Sequence, residues 1–325
     1  MKILIPLFIL LFSCKNHVKN ESKVNDEVMD SQQNLSLDDS LNSYQKNRNE
    51  QNKNQFILTQ NDLLGIYVGW FVPNIDSEEL GKKTLGNEAI YWDRQNKINI
   101  SIDSIRDGSV YGHSVVAGNM RVFNGRLSES ANAFVIEARE PGTDKYDGLF
   151  KMKFRKGSII LKGNWTAYKK IDISQRSFHL GKTLFSYNPN LNIENSRSYV
   201  DWNKMKVKKE KYKYENEVYE EISESFSTST NAIYKINASV KLLTKKDVEN
   251  LKKGDLLIIR NAIYARHGYS FKNRTLRVFF DQQDWYIPYT IDIKSKLTEI
   301  ELKNIELLLK YEKNAEEYYD TFGRG

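Results

Sequence analysis

The sequence predicts an α+β chain with two folded parts: an antiparallel β-barrel or sandwich over residues 56–170, and a small all-α domain over 241–325. Three observations carry this reading. The chain has 325 residues, which at roughly 100–200 residues per domain points to about two domains. Between Leu63 and Tyr168, short stretches alternate apolar and polar residues and are broken by turn signals, with no helical period between them. From Thr244 onward the apolar residues recur at helical spacing, and capping residues mark the starts.

Composition narrows the class. Hydrophobic residues make up 40% and charged residues 28% of the chain, as in ordinary globular proteins and unlike disordered ones. The single Cys excludes a disulfide framework and a Cys-rich zinc or iron–sulfur site, and four scattered His leave little for a His-rich one. No metal and no cofactor is expected.

Residues 1–13 read as a signal peptide. Lys2 is a short positive region, and Ile3 to Phe12 is an apolar run of ten, too short for the about 20 residues a membrane span needs. Leu11-Phe12-Ser13-Cys14 resembles the processing box of bacterial lipoproteins. The resemblance implies cleavage before Cys14, diacylation of its sulfur and acylation (palmitate) of the new amino terminus. Two or three acyl chains anchor stably where one is marginal. The expected location is the bacterial cell envelope, lipid-anchored at the outer membrane, and no acidic run after Cys14 argues for surface export. The other reading is an ordinary secretory peptide with a chance Cys. Residues 15–55 hold six Lys/Arg, seven Asp/Glu and no Gly, Pro, Phe or Trp, so with Cys14 they form an anchor and disordered tether reaching ~35 Å.

The β domain begins at Gly65-Ile-Tyr67-Val-Gly69-Trp-Phe71. Ile98, Ile100 and Ile102 share one strand face, and Asp107-Gly108 is a hairpin signal. Strands follow at Ser109 to Ala117, Met120 to Ser128, and Ala133 to Arg139, then at Leu149 to Arg155 and Ser158 to Tyr168. The polar stretch Glu140 to Asp147 reads as a loop. Alternate glycines in the first and last strands suggest close packing or barrel corners. The pattern is lipocalin-like in outline, which leaves two options: a cup for an apolar or glycan ligand, or a small barrel filled by its own side chains. His113 falls in a strand and reads as a structural or surface residue.

Residues 171–240 form a connector of uncertain structure. Lys204 to Lys213 carries six lysines and Glu215 to Glu224 five glutamates. The basic stretch reads either as an anion-binding patch or as a solvated face.

In the helical part, Thr244 and Asp247 have cap spacing, Asp255 is a second candidate cap, and Asn273 a third. The segment from Leu256 to His267 is apolar nearly all round, so it should be buried, and Gly268 should end it. Thr298-Glu-Ile-Glu301 is a full capping-box match before a closing helix.

Tyr264-Ala265-Arg266-His267-Gly268 spells the motif that names the YARHG domain, and this part of the chain resembles that family. Arg260-Asn261, Phe271, Phe280-Asp281, Trp285-Tyr286, Leu297-Thr298-Glu299 and Tyr311-Glu312 stand where the family pattern has them. The resemblance spans 241–313. It implies an extracellular, envelope-associated setting with a suggested cell-wall association, and it carries no catalytic residues.

Read physically, Tyr264, Arg266, His267, Tyr269, Trp285 and Tyr286 admit two accounts. They form a polar and aromatic patch that grips a glycan or a stem-peptide carboxylate, or they are a folding signature that staples a small core. Arg260, Tyr264 and His267 share a helix face, and Asp281 or Glu306 is the expected partner of Arg266. No zinc-protease, nucleophile-elbow, phosphate-loop or dinucleotide motif is present. The sequence therefore predicts a non-catalytic envelope lipoprotein. Its YARHG-like domain would bind cell wall, such as peptidoglycan, or another envelope partner. The alternatives are a ligand-binding barrel and an envelope hydrolase without a visible motif. The membrane is a partner through Cys14, and nucleic acid is not expected. The net charge of +7 weakly favours anionic envelope surfaces.

Overall fold

Eight antiparallel strands close into a barrel in chain order. The computed structural model describes residues 59–194, 198–214 and 217–322. The expected signal peptide, Cys14 and the tether lie outside the described residues, as does Glu215. The strands are β1 (Gly65–Pro73), β2 (Asn96–Arg106), β3 (Ser109–Val116), β4 (Asn119–Glu129), β5 (Ala133–Arg139), β6 (Gly148–Arg155), β7 (Ile160–Ala167) and β8 (Gln175–Thr183). β1 pairs with β2 on one side and β8 on the other, which closes the ring and leaves no edge.

The period-2 pattern places one phase of each strand inside. Ile98, Ile100 and Ile102 of β2 are buried, as are Phe134, Ile136 and Ala138 of β5 and Phe150, Met152 and Phe154 of β6. The two-residue connections Asp107-Gly108 and Ala117-Gly118 have positive φ at both residues, as a type I′ hairpin turn requires. A Cβ at Gly163 would run into the Phe178 ring, so the expected close packing at a strand glycine is what the barrel uses. One end is plugged by Leu63 and Leu64 with Ile105 and Leu127, and the Tyr67 hydroxyl donates to the Leu63 carbonyl at 2.9 Å.

The barrel runs past residue 170, where the sequence pattern fades. In β8 the apolar inward residues are Phe178 and Leu180 alone, and the inward position before them is Arg176. Between β1 and β2 lie two short helices that the pattern did not signal, α1 (Ser77–Lys83) and α2 (Glu88–Tyr91).

The rest of the connector also has structure. β9 (Val200–Tyr214) and β10 (Glu217–Thr228) form a two-stranded ribbon, and among the described residues these strands pair only with each other. Lys211 stands opposite Glu220, which lies 3.8 Å from Lys211 and 3.6 Å from Lys209. At the ribbon's base, Phe226 meets Tyr91 edge-on and Tyr91 stacks on Trp202.

The helical part holds α3 (Lys245–Val248), α4 (Lys253–Arg266), α5 (Arg274–Asp281) and α6 (Glu299–Phe322). The expected caps at Thr244, Asn273 and Thr298 form: Thr244 pairs with Asp247, Asn273 Oδ1 accepts from Leu276 N, and Thr298 exchanges bonds with Glu301. Asp255 stands inside the first turn of α4 and not before it. From there its carboxylate accepts from the Lys252 and Thr230 backbone N–H groups. α4 is buried as expected and packs along α6. No helix among the described residues is long and apolar enough to cross a membrane.

Barrel and helices belong to one compact unit. Lys97 N donates to Asp281 Oδ2 at 2.8 Å, and Arg277 Nε donates to Asn96 Oδ1 at 2.7 Å. Gly118 N donates to Ser270 Oγ at 2.9 Å.

Candidate functional site at the barrel mouth

At the end of the barrel away from Leu63, the inward phase changes from apolar to polar. Asn96 opens β2 there, Ser114 lies near the end of β3, Asn119 and Arg121 lie at the start of β4, Glu140 directly follows β5, and Arg176 is the second residue of β8. Phe71, Ile98, Val116, Phe150 and Trp165 form the floor of the resulting pocket, and Arg274 and Arg277 of α5 form one wall. Its volume is about 540 Å³, the size of small-molecule sites. Below the floor the barrel is filled by Ile100, Met152, Phe154 and Leu161. Cup and filled barrel, open alternatives in the sequence, thus describe its two ends.

The site is rich in guanidinium groups. Arg94, Arg274 and Arg277 lie 4.9, 5.1 and 5.4 Å from the Trp92 ring, within cation–π range. Arg176 donates to the Phe71 and Arg94 carbonyls, at 3.0 and 2.8 Å. Burial, then the nearby Arg94 and Arg277, push its pKa down to about 10. Burial also lowers that of Arg277, against the attraction of Asp281. Arg94 has loose ion pairs, 3.9 Å to Glu88 and 3.9 Å to Asp172, and its buried Nε has no hydrogen-bond partner. Arg121 and Arg274 are closely paired, with Asp144 and Asp147 and with Glu88.

Glu140 faces the same pocket. Its Oε2 accepts from Trp165 Nε1 at 3.0 Å and from Gly148 N at 2.8 Å. Burial nevertheless pushes its pKa up to about 7. The arrangement offers donors and positive charge above an aromatic floor, which is chemistry for binding.

The YARHG motif lies elsewhere and is mostly buried. Tyr269 N donates to the Tyr264 carbonyl and Gly268 N to the Ala265 carbonyl. With Gly268 at φ +74°, this is a Schellman helix end. Tyr264 and Tyr269, the residues such an end brings together, meet edge-to-face at 6.2 Å.

Arg266 is buried, donating to the Leu191 carbonyl at 2.7 Å and to Ser239 Oγ at 3.3 Å. Neither expected partner reaches it, because Asp281 is turned to the β2 backbone and Glu306 is exposed on α6. His267 is buried, stacked on Tyr187, with Nε2 2.8 Å from Glu301 Oε2. Arg260 pairs instead with Glu312. The buried Tyr286 hydroxyl donates to the Tyr269 carbonyl, and Trp285 is half-buried.

The expected single patch is therefore divided. Arg266, His267, Gly268 and Tyr286 face the interior, while Tyr264 and Tyr269 line a groove of about 690 Å³ with Phe271, Leu276 and Leu297. His113 sits on the outer barrel face beside Asp103.

Sequence reasoning missed the mouth. Arg121 and Glu140 carried a readable signal, since each continues the inward phase of its strand, Glu140 two residues past Ala138. Trp92, Arg94 and Arg176 carried none, because they lie in a turn and in a strand with little alternation. Among the described residues, no group of three or more His, Cys, Asp or Glu is placed to hold a metal ion.

A closed eight-stranded barrel with a helical domain against its mouth defines the class of the molecule. Residues 231–313 match the YARHG domain family, ten residues earlier at the start than the sequence resemblance indicated. No curated protein and no solved structure matches the chain. The match is consistent with an envelope-associated protein.

Proposed function

We propose that this chain is a lipid-anchored, non-catalytic envelope protein that binds a compact ligand in the mouth of its barrel, with the YARHG helices forming one wall of the site. The observation that carries this reading is the pocket of about 540 Å³ between inward barrel residues and α5. Its size, its aromatic floor and its few convergent polar groups are the usual marks of a ligand site. The anchor at Cys14, the outer-membrane location and the signal peptide rest on the N-terminal residues alone. Thermal-shift screening of the full chain against sugars, sugar phosphates, muropeptides and fatty acids tests the binding reading. At least one compound should raise the melting temperature of the wild type and leave Asn119→Trp, which fills the mouth, unmoved. A panel with no such compound counts against it.

The Tyr264–Tyr269 groove favours a second reading, in which the YARHG region holds a wall glycan on its tyrosines. Retention of the full chain on purified peptidoglycan, lost in a Tyr264→Ala, Tyr269→Ala variant that still folds, would support it. Equal retention of both proteins would remove it.

A further inference from the structure

The side chains that line the barrel mouth are net positive, and the carboxylates beside them offset that charge only in part. Five arginines and two lysines line the pocket against two carboxyls, Glu140 and Asp172. Arg121 and Arg274 have close carboxylates, but Arg176 and Arg277 donate only to carbonyl and amide oxygens. Buried like charges repel in a medium of low dielectric. Arg94 adds a buried Nε without a partner and a positive φ of 64°, a strained backbone of the kind that clusters at ligand sites.

We propose that the mouth takes a compact organic anion. Its phosphate or carboxylate head sits among Arg94, Arg176 and Arg277, and its planar or apolar body lies on Phe71, Phe150 and Trp165. This rests on the reading of the mouth as the ligand site. Guanidinium forks match the two-oxygen edge of such a head, and an anion placed there relieves the repulsion among the arginines. The filled barrel below leaves no room for a long acyl chain, so the body is short.

The test uses the full chain in neutral detergent and two fluorescent probes of similar shape, the anion 8-anilinonaphthalene-1-sulfonate and the neutral N-phenyl-1-naphthylamine. The anion should bind about tenfold or more tighter. Inorganic phosphate and benzoate should each be tried as competitors, the stronger one identifying the head group. Arg176→Gln should weaken the anion about tenfold, and Arg274→Gln, on the half-exposed rim, about threefold. If Arg176→Gln does not fold, Arg274→Gln decides. Equal affinity for both probes, no competition by either anion, or unchanged affinity in the folded variants overturns the anion proposal. Two equal probes displaced by Asn119→Trp would leave the ligand-site reading standing, whereas no binding of either probe overturns both.

Discussion

His267 Nε2 lies 2.8 Å from Glu301 Oε2, and the same oxygen accepts from Thr298 N at 2.9 Å. One carboxylate thus ties the end of α4 to the start of α6, and its other oxygen accepts from the Tyr187 hydroxyl. Burial opposes the charge on Glu301, yet the bonds from His267, Thr298 and Ser239 hold its pKa down to about 2. A depressed carboxyl stabilises the fold above its ordinary value near 4.5, and that stability is lost as pH falls through 2. Glu301→Gln should cost about 2–3 kcal/mol in urea unfolding at pH 7 and flatten the acid limb between pH 4.5 and 2. His267→Ala should be non-additive with it in a double-mutant cycle. Independent, additive costs would mean that the contact does not couple the two helices.

Gly268 is the second fixed point of the motif. Its φ is +74°, and a Cβ there would meet Tyr289 Cβ at 2.7 Å and the Phe185 ring at 2.8 Å. Gly268→Ala should therefore cost more than the roughly 1–2 kcal/mol of a left-handed backbone alone. Gly157 provides the control, with φ +82° and open space around the Cβ position. Gly157→Ala should cost only the backbone share. Equal losses in chemical unfolding would show that crowding at Gly268 is relieved by side-chain movement.

Much of the barrel was legible because alternation over a half-buried surface survives in the residues themselves. Ile98, Ile100 and Ile102 are apolar for no reason other than facing inward. The helix starts at Thr244, Asn273 and Thr298 were legible because caps are local chemistry. β8 and the ribbon were not. β8 is half polar on its inner side, where it reaches the mouth. β9 is mostly basic and β10 mostly acidic, and beyond the base both faces lie in solvent. The mouth itself is assembled from strand ends and from α5, far apart in the chain, as the Arg277–Asn96 bond across 181 positions illustrates. Such a site leaves no short motif.

Glu140 should give the fold a pH dependence of the opposite sign to that of Glu301. Burial raises its pKa to about 7, opposed by Trp165, Arg121 and Gly148 and aided by Asp147. A carboxyl raised in the folded state binds more protons there than in the unfolded chain. Its contribution is full below about 4.5 and lost as pH rises through 7. Asp281, also raised to about 7 by burial against the Lys97 N–H and Arg277, acts in the same window. The melting temperature should fall from pH 5 to pH 8, and Glu140→Gln should reduce that slope by about half. An unchanged slope would assign the whole effect to Asp281 or to other groups.

The β9–β10 ribbon should be dispensable for folding. Val207, Tyr212, Val218 and Ile222 are exposed on it, and an isolated two-stranded ribbon is marginal in water. Its stabilising contacts are at the base, where Phe226 and Trp202 meet Tyr91 and Ser229 Oγ accepts from Tyr199 N at 3.1 Å. Met205 and Phe226 face each other across the two strands, so replacing residues 206–225 by Asn-Gly closes the hairpin just beyond that pair. The shortened chain should unfold within about 0.5 kcal/mol of the wild type, as surface changes do. Trp202→Ala at the base should instead cost about 3 kcal/mol or more, as large-to-small changes at buried aromatics do. A shortened chain that lost several kcal/mol would place the ribbon against the folded body and not beyond it.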